Sequence, residues 1–193
     1  MIENNQIQNS QVPIYTIVYG IRTLDTFLSL LKEYNIEYLI DIRSRPYSQY
    51  KIEFSKDALE RTMEANGVRY VFMGNLLGGQ PDDPECYTNG KVDYQKCQAM
   101  EFHQQGIARL KRAWEGGQCV AVMCSEGKPQ ECHRSKMVGD SLVRHGIPVA
   151  HIDENGQLKT QLEVINIIQG TQPQLDLFDS VKLAFSRKKY RKV

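Results

Sequence analysis

Short apolar runs alternate with segments of helical period along most of this chain, and that alternation narrows the fold more than any other feature. Residues 13–19, PIYTIVY, are β-branched and aromatic and end at Gly20. Residues 24–35 then place Leu24, Phe27, Leu28, Leu31 and Tyr34 at helical spacing, with Asn35 as a stop. Residues 37–42, EYLIDI, are mostly apolar, as a strand covered on both faces must be. Ser55 is the expected N-cap of a helix over 56–66, closed by Asn66-Gly67, and 68–73 reads as a third strand. Residues 80–92 carry two prolines, two aspartates and Asn89-Gly90 and read as loop. Helix follows over 93–115, a fourth strand (CVAVM) over 119–123, a helix near 131–145, a fifth strand over 149–152 and a last helix over 160–169. Such an order predicts an α/β fold with a central, mainly parallel sheet of about five strands and helices on both faces.

The chain has 193 residues and is 41% hydrophobic, ample for one core and short for two. One α/β domain is expected over 1–170, followed by a flexible tail over 171–193 that opens near Gly170-Thr171-Gln172-Pro173. No apolar run reaches the roughly 18 residues a spanning helix needs. The start, MIENNQIQNSQ, is polar and lacks an apolar signal region. The expectation is a cytoplasmic protein with no membrane partner. Cys86, Cys97, Cys119, Cys124 and Cys132 are odd in number, which favours reduced thiols over a disulfide framework.

Parallel sheets bind ligands outside the carboxyl ends of their strands, and the reactive residues of this chain gather at those ends. After the second strand come Asp41, Arg43, Arg45 and Ser48. Asp41 and Arg43 share a face of an extended strand, and paired arginines grip phosphate or carboxylate. The carboxylate is expected to orient Arg43 or to act as a base; the alternative is a structural ion pair.

After the fourth strand comes Cys124-Ser-Glu-Gly-Lys-Pro-Gln-Glu-Cys132-His133-Arg134. A cysteine before a turn into a helix lies near that helix's positive end, which lowers thiol pKa and favours anions. Lys128 and Arg134 add positive potential. The segment is neither a Walker loop nor a cysteine-phosphatase loop, since Gln130 stands where the latter's arginine would fall. Three readings of the sulfurs stay open: a thiolate nucleophile, a zinc site built from Cys124, Cys132, His133 and His151, or two small buried residues. Tyr70 and Gly78-Gly79 are expected at the pocket rim, while His103 and His145 have no partner motif.

Lys182, Arg187, Lys188, Lys189, Arg191 and Lys192 follow the last acid, Asp179. Without these six the chain has 18 basic against 23 acidic residues, so the body is mildly acidic and the end basic. Ahead of them, Gln174-Leu175-Asp176-Leu177-Phe178 looks like the short peptide by which bacterial proteins dock on the DNA polymerase sliding clamp. Gln174 would cap a small pocket and Leu177 and Phe178 would fill an apolar groove, with Leu175 in the same partner-binding set; the alternative is an amphipathic segment folded back onto the body.

The pieces Tyr19-Gly20, Asp41-Ile42-Arg43 with Pro46 and Ser48, Tyr70 with Leu77-Gly78-Gly79, Cys124 with Glu126, Cys132-His133-Arg134 and His151-Ile152 together resemble the domain-of-unknown-function-488 family, over roughly residues 13–155. The resemblance implies a Rossmann-like three-layer sandwich and marks Asp41, Arg43, Cys124, Glu126, Cys132, His133 and Arg134 as motif positions. It implies no activity. The residues themselves favour an enzyme of hydrolase or transferase type that processes a nucleotide or nucleic acid. In that reading Asp41, Arg43, Cys124, Glu126 and His133 are catalytic, and Arg45, Ser48, Tyr70, Lys128 and Arg134 bind a phosphate-containing ligand. The alternative is a metal-stabilised or structural binding module.

Overall fold

The computed structural model describes residues 12–170 and 185–190. Strand β1 (Ile14–Val18) leads into helix α1 (Leu24–Glu33), whose cap is the Thr23 hydroxyl accepting from the Thr26 N–H. Next come β2 (Tyr38–Asp41), α2 (Lys56–Ala65) and β3 (Arg69–Phe72). A short helix α3 (Gly74–Leu77) precedes the small strands β4 (Tyr87–Thr88) and β5 (Lys91–Asp93). Helices α4 (Tyr94–Ala99) and α5 (Glu101–Glu115) lead to β6 (Val120–Cys124). A π-helical segment, Arg134–Gly139, runs directly into α6 (Asp140–Arg144). Strands β7 (Val149–Ile152) and β8 (Leu158–Thr160), helix α7 (Gln161–Gln169) and strand β9 (Phe185–Lys189) complete the described chain.

The main sheet has six strands in the order β3-β2-β6-β1-β7-β8. All neighbours are parallel except β7 and β8, so the expected five-stranded parallel sheet gains one antiparallel edge strand. Side chains alternate between its two faces. Ile17, Leu39, Ala121 and Met123 pack with Phe27 and Leu31 of α1 and Leu59 and Met63 of α2. On the other face Ile14, Val18, Ile40 and Val122 pack with Ile107 and Leu110 of α5 and Leu142 of α6. These are the three layers of a Rossmann-like sandwich. Among the described residues no helix is long and apolar enough to cross a membrane.

Four segments depart from the expectations. The helix over 93–115 breaks at Met100, whose extended backbone separates α4 from α5, while Asp93 caps α4 by accepting from the Lys96 N–H. The loop over 80–92 contains a hairpin, β4–β5, turned by Asn89 and Gly90, both at positive φ. The helix near 131–145 begins instead with the wide π turn. Finally, the tail does not stand wholly apart: β9 pairs antiparallel with β5, Lys189 opposite Lys91 and Phe185 opposite Asp93, and the Ser186 hydroxyl accepts from the Val92 N–H.

Register places the site. Val18 lies opposite Cys124, and Asp41 opposite Met123. The ends of β1, β2 and β6 therefore meet at one rim, at the point where the chain's crossovers turn from one side of β1 to the other.

Candidate active site

At the end of β2 the Asp41 carboxylate is fully buried. Arg43 folds back onto it, donating from Nε to Oδ1 at 2.9 Å and from Nη2 to Oδ2 at 2.6 Å, while its backbone N–H reaches Oδ1 at 3.0 Å. The Tyr70 hydroxyl donates to Oδ2 at 2.7 Å. Burial pushes the Tyr70 hydroxyl's pKa up, and the Asp41 charge pushes it further. Burial works against the Arg43 cation, but the Asp41 pair more than offsets this and raises its pKa. The guanidinium also lies over the Tyr19 ring, 5.3 Å from its centroid. Its Nη1 has no protein partner, and Arg43 lines a cavity of about 110 Å3.

Cys124, at the end of β6, lines the same cavity together with Glu126, His133 and Arg45. Its sulfur is 3.7 Å from His133 Nδ1, and the Cys132 sulfur is 3.8 Å from that same nitrogen. The Cys132 thiol donates toward Cys124 and, with the His133 charge, holds the Cys124 pKa well below the usual thiol range despite burial. Burial and the Cys124 sulfur hold Cys132 well above it. Burial disfavours an imidazolium at His133, yet the neighbouring thiolate raises its pKa. Donor atoms of Cys124, Glu126, Cys132 and His133 all lie within 4.8 Å of one another.

Arg134 was expected to bind ligand but points inward. Its side chain is fully buried, with Nη1 donating to the Glu126 carbonyl at 2.7 Å and Nη2 reaching the Gly127 carbonyl. It braces the loop after β6 from beneath. His151, expected as a metal ligand, is occupied on both ring nitrogens. The Thr16 hydroxyl meets Nδ1 at 2.7 Å, and Nε2 meets Gln161 Oε1 at 2.6 Å. Gln161 in turn donates to the Ser135 carbonyl, tying the π turn to the sheet. Glu126 takes the place in the donor cluster that His151 was expected to fill.

Ser48 shapes a turn, accepting from the Lys51 N–H, and Ser55 accepts from the Ser48 N–H instead of closing its own helix. Tyr70 meets the Asp41–Arg43 pair and does not line the cavity, and Lys128 is exposed away from that lining. Gln174, Leu175, Leu177 and Phe178 lie outside the described residues. Ser44, Gln80, Tyr94, Ser125 and Tyr190 line the cavity without having been singled out in the sequence. Tyr190 arrives through β9 and is held by its N–H donating to the Gly90 carbonyl. A larger hollow of about 640 Å3 opens at the amino ends of the strands beside Asp25, Lys32 and Asn66, but no thiol or histidine lines it.

Gly79 makes room for the imidazole. A Cβ there would meet His133 Nδ1 at 2.6 Å and Cγ at 2.8 Å. Gly79→Ala is therefore expected to push the ring from the sulfurs and to cost about 1–3 kcal/mol through overpacking. In the metal-free protein the His133 titration midpoint, read by NMR of the ring protons, should fall toward the ordinary imidazole value. An unchanged midpoint would show that the ring does not depend on this gap.

No curated protein and no solved structure matches the chain. The sequence profile described as Domain of unknown function DUF488 matches residues 23–139, more than half of the 193-residue chain. That span contains Asp41, Arg43, Gly79 and the whole Cys124–Arg134 segment, and the chain belongs to the DUF488 family.

Proposed function

We propose that this protein is an enzyme of hydrolase or transferase type that takes the phosphate-bearing part of a nucleotide or nucleic acid at the carboxyl rim of its sheet. The observation that carries the reading is one cavity shared by two arginines, Arg43 and Arg45, and by Cys124, Glu126 and His133. Cationic walls bind an anion, and a sulfur, carboxylate and imidazole set supplies a reacting centre. About 110 Å3 admits a phosphoryl-sized group and a few waters, so a base and sugar would lie outside the mouth. Arg45 is exposed at that mouth and meets the phosphate first; Arg43, held by Asp41, lends its positive charge from the cavity wall. Asp41 is committed to Arg43 and Tyr70, so the acid and base roles fall to Glu126 and His133. The 171–193 segment, with its clamp-like peptide and basic end, would bring the enzyme to DNA.

The test is binding of a fluorescent single-stranded oligonucleotide and of nucleotides at low salt. Arg45→Ala is expected to weaken binding about 10-fold and to reduce its salt dependence. Wild-type protein that binds neither nucleotides nor DNA, with residues 171–193 intact, would rule the function out.

A further inference from the structure

The sulfur-lined floor of the cavity has the make-up of a metal centre. All four of its donors come from one short stretch, residues 124–133, and Cys124, Cys132 and His133 are all buried while Glu126 is half-buried on the cavity side. A tetrahedral zinc-class ion with ordinary bond lengths separates a ligating sulfur from a ligating imidazole nitrogen by about 3.5 Å. Here the two separations are 3.7 and 3.8 Å, both to the same nitrogen, Nδ1. The surroundings agree. The Arg134 N–H points at the Cys132 sulfur at 3.4 Å, as outer groups do toward a metal-bound thiolate, and the Arg134 guanidinium offsets part of the negative charge of the set.

We propose that Cys124, Cys132 and His133 hold a zinc-class divalent cation, with Glu126 as the exchangeable fourth donor facing the cavity. Two thiolates and an imidazole select zinc over magnesium or calcium. Three shielded ligands and one half-buried donor on the cavity side describe an open site more than a closed structural one. The inference rests on reading this cavity as the reaction centre, since its exchangeable side is where the phosphate-bearing group would meet the ion. Bound there, the ion would act as a Lewis acid toward a phosphoryl oxygen or a water; His133 would then be a ligand, and the acid and base role would fall to Glu126 once displaced from the ion.

The metal itself is the probe. Full-length protein, stripped with chelator under reducing conditions, is titrated with Co(II) and then displaced with Zn(II). The expected result is one equivalent per chain, with the near-ultraviolet band of sulfur-to-cobalt charge transfer. Cys132→Ser and His133→Ala, checked for folding by circular dichroism, should lose about 100-fold or more in affinity. Glu126→Gln should keep the metal with a loss of about 10-fold. Cys97→Ser, a buried cysteine outside the cluster, should bind as wild type. Wild-type protein that shows no charge-transfer band, or a Cys97→Ser variant that loses the metal, would overturn the assignment. The two proposals fail separately. Protein that loads the metal and binds no nucleotide or oligonucleotide overturns only the function, whereas protein that binds oligonucleotide through Arg45 and takes no metal overturns only the metal site.

Discussion

Asp41→Ala is expected to lower unfolding stability by about 3–5 kcal/mol, because it leaves a buried guanidinium without its counter-charge. Asp41 is fully shielded and holds Arg43 through Nε, Nη2 and the backbone N–H, with Tyr70 on the second oxygen. The Arg43 side chain is 4% exposed, so water replaces the carboxylate poorly. Tyr70→Phe, which removes one hydrogen bond to a charged acceptor, should cost about 1.5–3 kcal/mol. Urea unfolding of both variants checks the ranking. A loss below about 1 kcal/mol for Asp41→Ala would mean that Arg43 finds another partner, and that the carboxylate is available for chemistry after all.

Stability is also expected to fall steeply between pH 6.5 and about 4. His151 and His103 are buried, and each has its pKa lowered to about 4. At His151 burial is the main cause, opposed by the Gln161 hydrogen bond and reinforced by Arg134. At His103 burial acts together with the charges of His133 and His145. The unfolded chain takes up protons near pH 6.5 while the folded chain refuses them, so the unfolded state binds more protons and stability drops as pH falls. Each histidine contributes about 1.4 kcal/mol per pH unit at the steepest part of the window. His133 is shifted in the opposite direction by the neighbouring Cys124 sulfur, so it does not add to this loss. Urea unfolding at pH 7, 5.5 and 4.5 reads the slope above the range where most carboxylates titrate. A flat profile, or a slope unaltered in a His103→Asn, His151→Gln double variant, would refute the assignment.

The five parallel strands were legible because buried strands announce themselves as apolar runs, and Asp41 and Cys124 were legible as the polar residues ending two of them. What stayed hidden depended on contacts between distant segments. Nothing near His151 in the sequence tells that Thr16 and Gln161 will occupy its ring, so its metal role was misread. Arg134 looked like an anion ligand because charge is visible and direction is not; the π turn aims it under the loop. The β4–β5 hairpin carried a signal, Asn89-Gly90, but its strands are too short to show alternation. Residues 185–189, FSRKK, read as a solvated basic end, although β9 uses mainly its backbone to pair with β5.

Strand β9 has a practical consequence for handling the protein. A truncation after Gly170, the boundary that composition recommends, would strip β5 of its outer neighbour and remove Tyr190 from the cavity wall. The shortened protein would present a sticky open edge prone to self-association, and affinities measured on it would describe a breached pocket. A purification tag fused after Val193 would sit within three residues of that wall.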